Sequence, residues 1–181
     1  MPIVGRMRSV ASRATVVTDR RWIVRLVLIA SLAIAGACTS SGSSNAPYQA
    51  ADLNTGRSVS TAGLRGRPAL LVSWATWCTQ CRAELPGLEQ YFEQHKADPL
   101  RIVLVNVNSS ESRKEIHDVI TRYGLSMIEW RDRDNEFGSR FRTVGVPTAV
   151  LLDASGKVVK IWPGAINPNG AELAAALRGM R

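Results

Sequence analysis

Trp74-Ala75-Thr76-Trp77-Cys78-Thr79-Gln80-Cys81-Arg82-Ala83-Glu84-Leu85-Pro86 is the stretch on which the fold turns. It follows the apolar, strand-like run Ala69 to Val72 and leads into a pattern in which Leu85, Leu88 and Phe92 recur at near-helical spacing. The two cysteines therefore stand where a strand hands over to a helix. With Cys78 capping that helix and Cys81 in its first turn, a three-residue separation brings the sulfurs within reach of a disulfide. Unpaired amides and the positive end of the helix dipole favour a thiolate at Cys78. A thiol of pKa about 8.5 is a few per cent ionised at pH 7, whereas one lowered to about 7 is half ionised, roughly a tenfold gain in nucleophile. Part of that gain is lost because a less basic thiolate is less reactive. Cys78 is thus expected to be the attacking sulfur, and Cys81, one turn further in and shielded, the resolving one.

The segment WATWCTQCRAELP resembles the active-site segment of the thioredoxin superfamily, and within it the TlpA-like and ResA-like membrane-tethered thiol-disulfide oxidoreductases. Both tryptophans, the Cys-x-x-Cys, Glu84 and Pro86 match that branch. A bare Cys-x-x-Cys would say less, since it is also half a zinc site. The resemblance implies an α/β thioredoxin-like fold with a central mixed sheet flanked by helices. It also implies exchange of disulfides with other proteins.

Composition bounds the alternatives. The 181 residues allow one domain plus an appendage, and 45% hydrophobic content is ordinary for a globular chain. The net charge of +8 suggests nucleic acid at first sight. Residues 1–38 hold six arginines against Asp19, however, and the remainder carries 17 basic and 14 acidic residues with no basic run. No nucleic-acid partner is expected.

The odd number of cysteines, three, is explained by their placement: two form the pair, and Cys38 stands alone after an apolar run. Residues 1–25 bear arginine and almost no acid, and Leu26 to Ala37 is small and apolar throughout. This reads as a signal sequence over 1–37, too short in its apolar part for a membrane span, which needs about 20 residues. Ala35-Gly36-Ala37-Cys38 resembles a bacterial lipobox, departing from it at Ala35 where leucine is preferred, and implies a lipid on the Cys38 sulfur. Arg20-Arg21 has part of a twin-arginine export signal, but Asp19 stands where Ser or Thr is usual. Either route delivers the domain outside the cytoplasmic membrane. Thr39 to Pro47 has the Ser/Gly composition of a flexible tether, so 38–47 is expected as a lipid-anchored linker and 48–181 as the thioredoxin-like domain.

Within that domain, Leu53 to Arg57 reads as a turn, Val59 to Leu64 as an edge segment and Ala69 to Trp74 as the first central strand. The helix after the cysteines runs to about His95, with Pro86 expected to kink it. Leu100 to Val107 has the branched apolar residues of a parallel strand covered on both faces. Glu111 to Tyr123 shows helical spacing stopped by Gly124, and Met127 to Trp130 is a short strand. Asp134 is expected to cap a helix from about Asn135 to Phe141. Thr148 to Leu152 and Lys157 to Trp162 flank the hairpin signal Asp153-Ala154-Ser155-Gly156, and Ala171 to Arg178 closes as a helix.

Further site residues follow from the resemblance. Val146-Pro147 precedes the hairpin where thioredoxin-like proteins place a cis-proline facing the cysteine pair. The Val146 backbone would then dock an extended substrate segment. Trp77, beside Cys78, is expected as an exposed platform for substrate, while Trp74, Trp130 and Trp162 read as packing. Glu84 lies on the side of its helix that carries the cysteines, and in this branch a glutamate here is an acid close to the site. Ordinary thioredoxins carry a buried aspartate six residues before the first cysteine, where this chain has Val72. No metal or other cofactor is expected, because His95 and His117 have no cysteine or acid at ligand spacing.

Three functions remain to be weighed. The leading one is an extracytoplasmic reductase of protein disulfides, fed by a membrane electron donor, with apocytochrome c cysteines among its substrates. An oxidising, disulfide-forming protein of the same fold is the alternative. A copper metallochaperone is less favoured, since those resemble Cys-x-x-x-Cys plus a distal histidine. A peroxiredoxin would want Thr three residues before its reactive cysteine, and Ala75 is there.

Overall fold

The computed structural model describes residues 46–180. The expected signal sequence, Cys38 and all but the last two residues of the expected tether lie outside the described residues. The elements are β1 (Gln49–Asp52), β2 (Ser58–Ser60), a 3-10 turn (Thr61–Leu64), β3 (Ala69–Trp74), α1 (Thr79–Gln94), β4 (Arg101–Asn106) and α2 (Arg113–Tyr123). Then come β5 (Ile128–Arg131), α3 (Glu136–Phe141), β6 (Thr148–Leu152), β7 (Val158–Pro163) and α4 (Ala171–Arg178). The strands form one sheet in the order β2-β1-β5-β4-β3-β6-β7. The β3–β4 and β4–β5 pairs are parallel and the rest antiparallel. This is the mixed sheet flanked by helices that a thioredoxin-like fold requires.

Alternation along β3 builds the two halves of the core. Leu70, Val72 and Trp74 face a layer containing Leu85 and Leu88 of α1, Ile116 of α2 and Leu173 of α4. Ala69 and Leu71 face the opposite layer, which contains Tyr48, Phe137 and Phe141. All six β3 residues are buried, so its run of apolar side chains reflects cover on both faces. β3 is thus a rigid central support, and the cysteines begin four residues beyond it.

The expected elements of the domain are present with small shifts at their ends, and two expectations are corrected. The helix expected from Glu111 starts at Arg113, because Ser112 and Glu115 form a reciprocal capping box and Glu111 folds inward instead. Asp134 does not cap α3. The carboxylate of Asp132 does so, accepting from the amides of Glu136 and Phe137 while Asn135 sits in a left-handed conformation. The segment Val59 to Leu64 lies at the sheet edge, as expected; it is partly strand and partly 3-10 turn, and the strand part pairs with one the pattern did not reveal, β1.

Pro86 lies inside α1 on its exposed side, and having no N–H it leaves the Arg82 carbonyl without its intrahelical donor. At the far end of the sheet, Asp153 organises the β6–β7 hairpin by accepting from the Ser155 and Lys157 amides, and Gly156 takes a positive φ of 88° that favours glycine.

Candidate active site

The loop after β3 is closed by the Cys78 amide, which donates to the Ala75 carbonyl at 3.1 Å. Cys78 is the N-cap of α1, and its sulfur accepts from the Cys81 amide at 3.1 Å. The two cysteines are joined in a disulfide with their Cα atoms 5.2 Å apart. Cys78 retains 5% exposure and Cys81 none. The amide that faces Cys78 is one of the orphan donors of a helix N-terminus, so after reduction it is placed to stabilise a thiolate there.

The register of β6 on β3 brings the second wall of the site alongside. Ser73 pairs with Thr148, the Thr148 amide donates to Ser73 Oγ at 3.0 Å, and the Ser73 hydroxyl donates to the Thr148 carbonyl at 3.2 Å. Because β6 runs antiparallel to β3, its beginning lies beside the end of β3. The peptide bond Val146–Pro147 is cis, as expected, and the Val146 carbonyl oxygen lies 3.8 Å from Cys78 Sγ. Trp77 is 63% exposed and Val144 fully exposed. Between them lies a groove of about 390 Å³ lined by Trp77, Asn108, Asn135, Val144 and Val146 among others, all of its lining residues uncharged.

Glu84 is buried, not a solvated helix carboxylate. Its Oε2 accepts from the Ile166 amide at 3.0 Å, while Oε1 is buried without a hydrogen-bond partner. Desolvation raises its pKa to about 7, with the Ile166 hydrogen bond opposing the shift. Trp74, Trp130 and Trp162 are buried packing residues, as expected, and Trp162 also donates from Nε1 to Glu172 at 2.6 Å. His95 stacks on Tyr91 with its Nδ1 2.8 Å from the Tyr91 carbonyl. Among the described residues no cluster of three or more His, Cys, Asp or Glu side chains is arranged to hold a metal ion.

Sequence reasoning missed one member of this neighbourhood. Glu111 reaches back to the loop before Cys78, where its Oε1 accepts from the amide and the hydroxyl of Thr76, both at 2.8 Å. The signal was present as Ser112-Arg113-Lys114-Glu115, a capping-box spacing that starts the helix after Glu111 and frees that side chain for another task.

A disulfide at a helix N-terminus, one sulfur beside a cis-proline loop and the other sealed in the core, defines a thioredoxin-fold protein of thiol-disulfide exchange. The family model Redoxin matches residues 41–177, and the chain belongs to that family. It is 30% identical to the thiol-disulfide oxidoreductase ResA of Bacillus subtilis over 80% of this chain and 86% of that protein. It is 29% identical to the sporulation thiol-disulfide oxidoreductase A of the same organism, over 53% of this chain and 59% of that one. A solved structure of a thiol:disulfide interchange protein DsbE from Chlorobium tepidum shares the fold, with a TM-score of 0.65 at 21% identity over 75% of this chain and 93% of its own. The chain is a thiol-disulfide oxidoreductase. Its pair takes up two electrons and two protons when the disulfide opens to two thiols.

Proposed function

We propose that the chain is an extracytoplasmic reductase of protein disulfides, anchored by a lipid on Cys38 and recharged by a membrane electron donor, with the haem-binding cysteines of apocytochrome c as a substrate class. The observation that carries the exchange step of this reading is the placement of the two sulfurs: Cys78 lies against the carbonyl of Val146, a residue that lines the groove, and Cys81 has no exposed surface. In the reduced protein the Cys78 thiolate attacks one sulfur of a substrate disulfide. That S–S bond breaks, the substrate's other sulfur leaves and takes a proton, and a mixed disulfide forms. Cys81 then loses its proton and attacks Cys78 Sγ, which releases the second substrate sulfur as a thiolate and leaves the protein oxidised. Trp77, Val146 and Pro147 hold the substrate segment beside the sulfur, with the Val146 backbone acting as a short pairing edge.

Glu84 serves the proton traffic. A carboxyl of pKa about 7 is half protonated at neutrality, so it can accept a proton from the resolving thiol or return one to a leaving sulfur. The electron-flow direction is set by the potential of the Cys78/Cys81 couple, since Cys-x-x-Cys proteins span about −270 mV for a reductant to about −120 mV for a strong oxidant. Equilibration of the domain with glutathione or dithiothreitol buffers, read by mass after alkylation, should give a value below about −200 mV. A value near −120 mV would instead favour the oxidising, disulfide-forming role.

Export and anchoring rest on the arginine-bearing leader, the apolar run and the small residues before Cys38. Among the described residues no helix is long and apolar enough to cross a membrane. Replacing Cys38 with Ser should move the protein from the membrane fraction to the soluble one while exchange activity persists, and a variant that stays with the membrane would remove the lipid from this account.

A further inference from the structure

Glu111 is 94% buried, yet it lies on neither strand nor helix, and its carboxylate is fully engaged. Oε1 accepts from Thr76 N–H, from the Thr76 hydroxyl and from Asn108 Nδ2 at 3.0 Å, and Oε2 accepts from Asn106 Nδ2 at 2.6 Å. On the other side of Thr76, Arg82 Nη1 donates to its carbonyl at 2.7 Å. The peptide units before and after Thr76 are therefore both pinned, by an anion on one side and a cation on the other. The next residue is Trp77, whose ring stands in solvent, and the one after it is Cys78. Asn108 lines the same groove as Trp77. One carboxylate thus ties together two walls of the groove that come from loops far apart in sequence.

We propose that Glu111 is a positioning residue for exchange with protein substrates: through Thr76 and Asn108 it fixes the spacing between the Trp77 lip and the opposite wall, and so the approach of a substrate segment to Cys78. This rests on the exchange reading given above. Charged acceptors make stronger hydrogen bonds than neutral ones, and losing this one leaves four donor groups without that acceptor, the Asn106 amide fully buried and the other three partly so. The loop then relaxes to find partners, and a shift of about 1 Å in a positioning element can cost on the order of 100-fold in rate. A small disulfide that needs no groove is less sensitive to that shift.

The test compares wild type, Glu111→Ala and Glu111→Gln in steady-state reduction of two substrates, a peptide with an intramolecular disulfide and hydroxyethyl disulfide. Glu111→Ala should lower kcat/KM for the peptide by roughly 10- to 100-fold, chiefly through KM, and by about tenfold more than for hydroxyethyl disulfide. Glu111→Gln keeps a carbonyl acceptor for Thr76 and should recover most of the loss. Equal losses with both substrates, or none with either, would overturn the proposal. If Glu111→Ala does not fold, Thr76→Val removes one hydrogen bond and leaves the carboxylate with three donors; it should cost about threefold with the peptide alone, and identical rates with both substrates would again overturn it. A wild type that fails to reduce the peptide at all would overturn the exchange reading instead, so the two failures are separable.

Discussion

Cys81→Ser should trap a mixed disulfide between Cys78 and a substrate protein, whereas Cys78→Ser should trap almost none and lose exchange by a factor on the order of a thousand or more. The asymmetry follows from access. Cys78 is the helix N-cap beside the Val146 carbonyl, and Cys81 has no exposed surface from which to reach a partner. Without the resolving thiol the intermediate has no intramolecular exit, so it accumulates. Non-reducing gels of each variant, followed by mass spectrometry of the adducts, measure the difference, and comparable adduct levels in the two variants would reverse the assigned roles.

Stability of the oxidised domain should fall as pH rises from about 4.5 towards 8. Glu84 and Glu129 are both buried, each with one carboxyl oxygen lacking a partner, and both have pKa values raised from 4.5 to about 7. Desolvation is the leading cause in each, and for Glu129 the charges of Glu89 and Asp52 add to it. A folded state that holds a proton more tightly than the unfolded chain is favoured below the unfolded pKa and loses that advantage as pH climbs through the folded one. At about 1.4 kcal/mol per pKa unit the ceiling is about 3 kcal/mol per group, and solvent screening of these carboxylates lowers the cost of each to about 1–3 kcal/mol above neutrality. Asp52 and Asp153, which accept local hydrogen bonds, are lowered instead, so their contributions are lost only in more acidic solution. Glu129→Gln should therefore raise stability by about 1–3 kcal/mol at pH 8 and change little at pH 4.5, as read by urea denaturation. Glu84→Gln should shift stability in the same direction and also alter the pH profile of cysteine alkylation, which Glu129→Gln should leave alone. A Glu84→Gln profile superimposable on wild type would reduce Glu84 to a buried residue without a part in proton transfer.

The cysteine pair, the central strand and the hairpin were legible because each is encoded locally. Cys78 and Cys81 need only helix geometry, Ala69–Trp74 is apolar at every position but Ser73, and Asp153 to Gly156 is a turn in its own letters. The short β1 was not legible, since Gln49-Ala50-Ala51-Asp52 has no branched or aromatic residue and owes its conformation to pairing with β2 and β5. The cap of α3 was misplaced by two residues because Asp132 and Asp134 are equivalent as letters. Only the fold shows that Asp132 is buried, where it also accepts from the Tyr48 hydroxyl. Glu84 could be placed on the cysteine-bearing side of its helix by helical spacing, but its burial depends on the Ile166 loop, 82 residues away. Glu111 escaped for the same reason: Thr76, the partner that ties it to the cysteine loop, lies 35 residues back, and no periodicity connects them.

The pairing of Ser73 with Thr148 spans 75 residues, whereas the two sulfurs are separated by three. Closing a short loop costs little chain entropy, and closing one of that length costs appreciably more. A chain that has formed only its first helical turn already has what is needed to shut its disulfide, but it has no Val146 carbonyl at the sulfur and no groove beside it. The disulfide and the groove are therefore acquired separately: the first needs only a helical turn, the second a chain whose sixth strand has come home to its third.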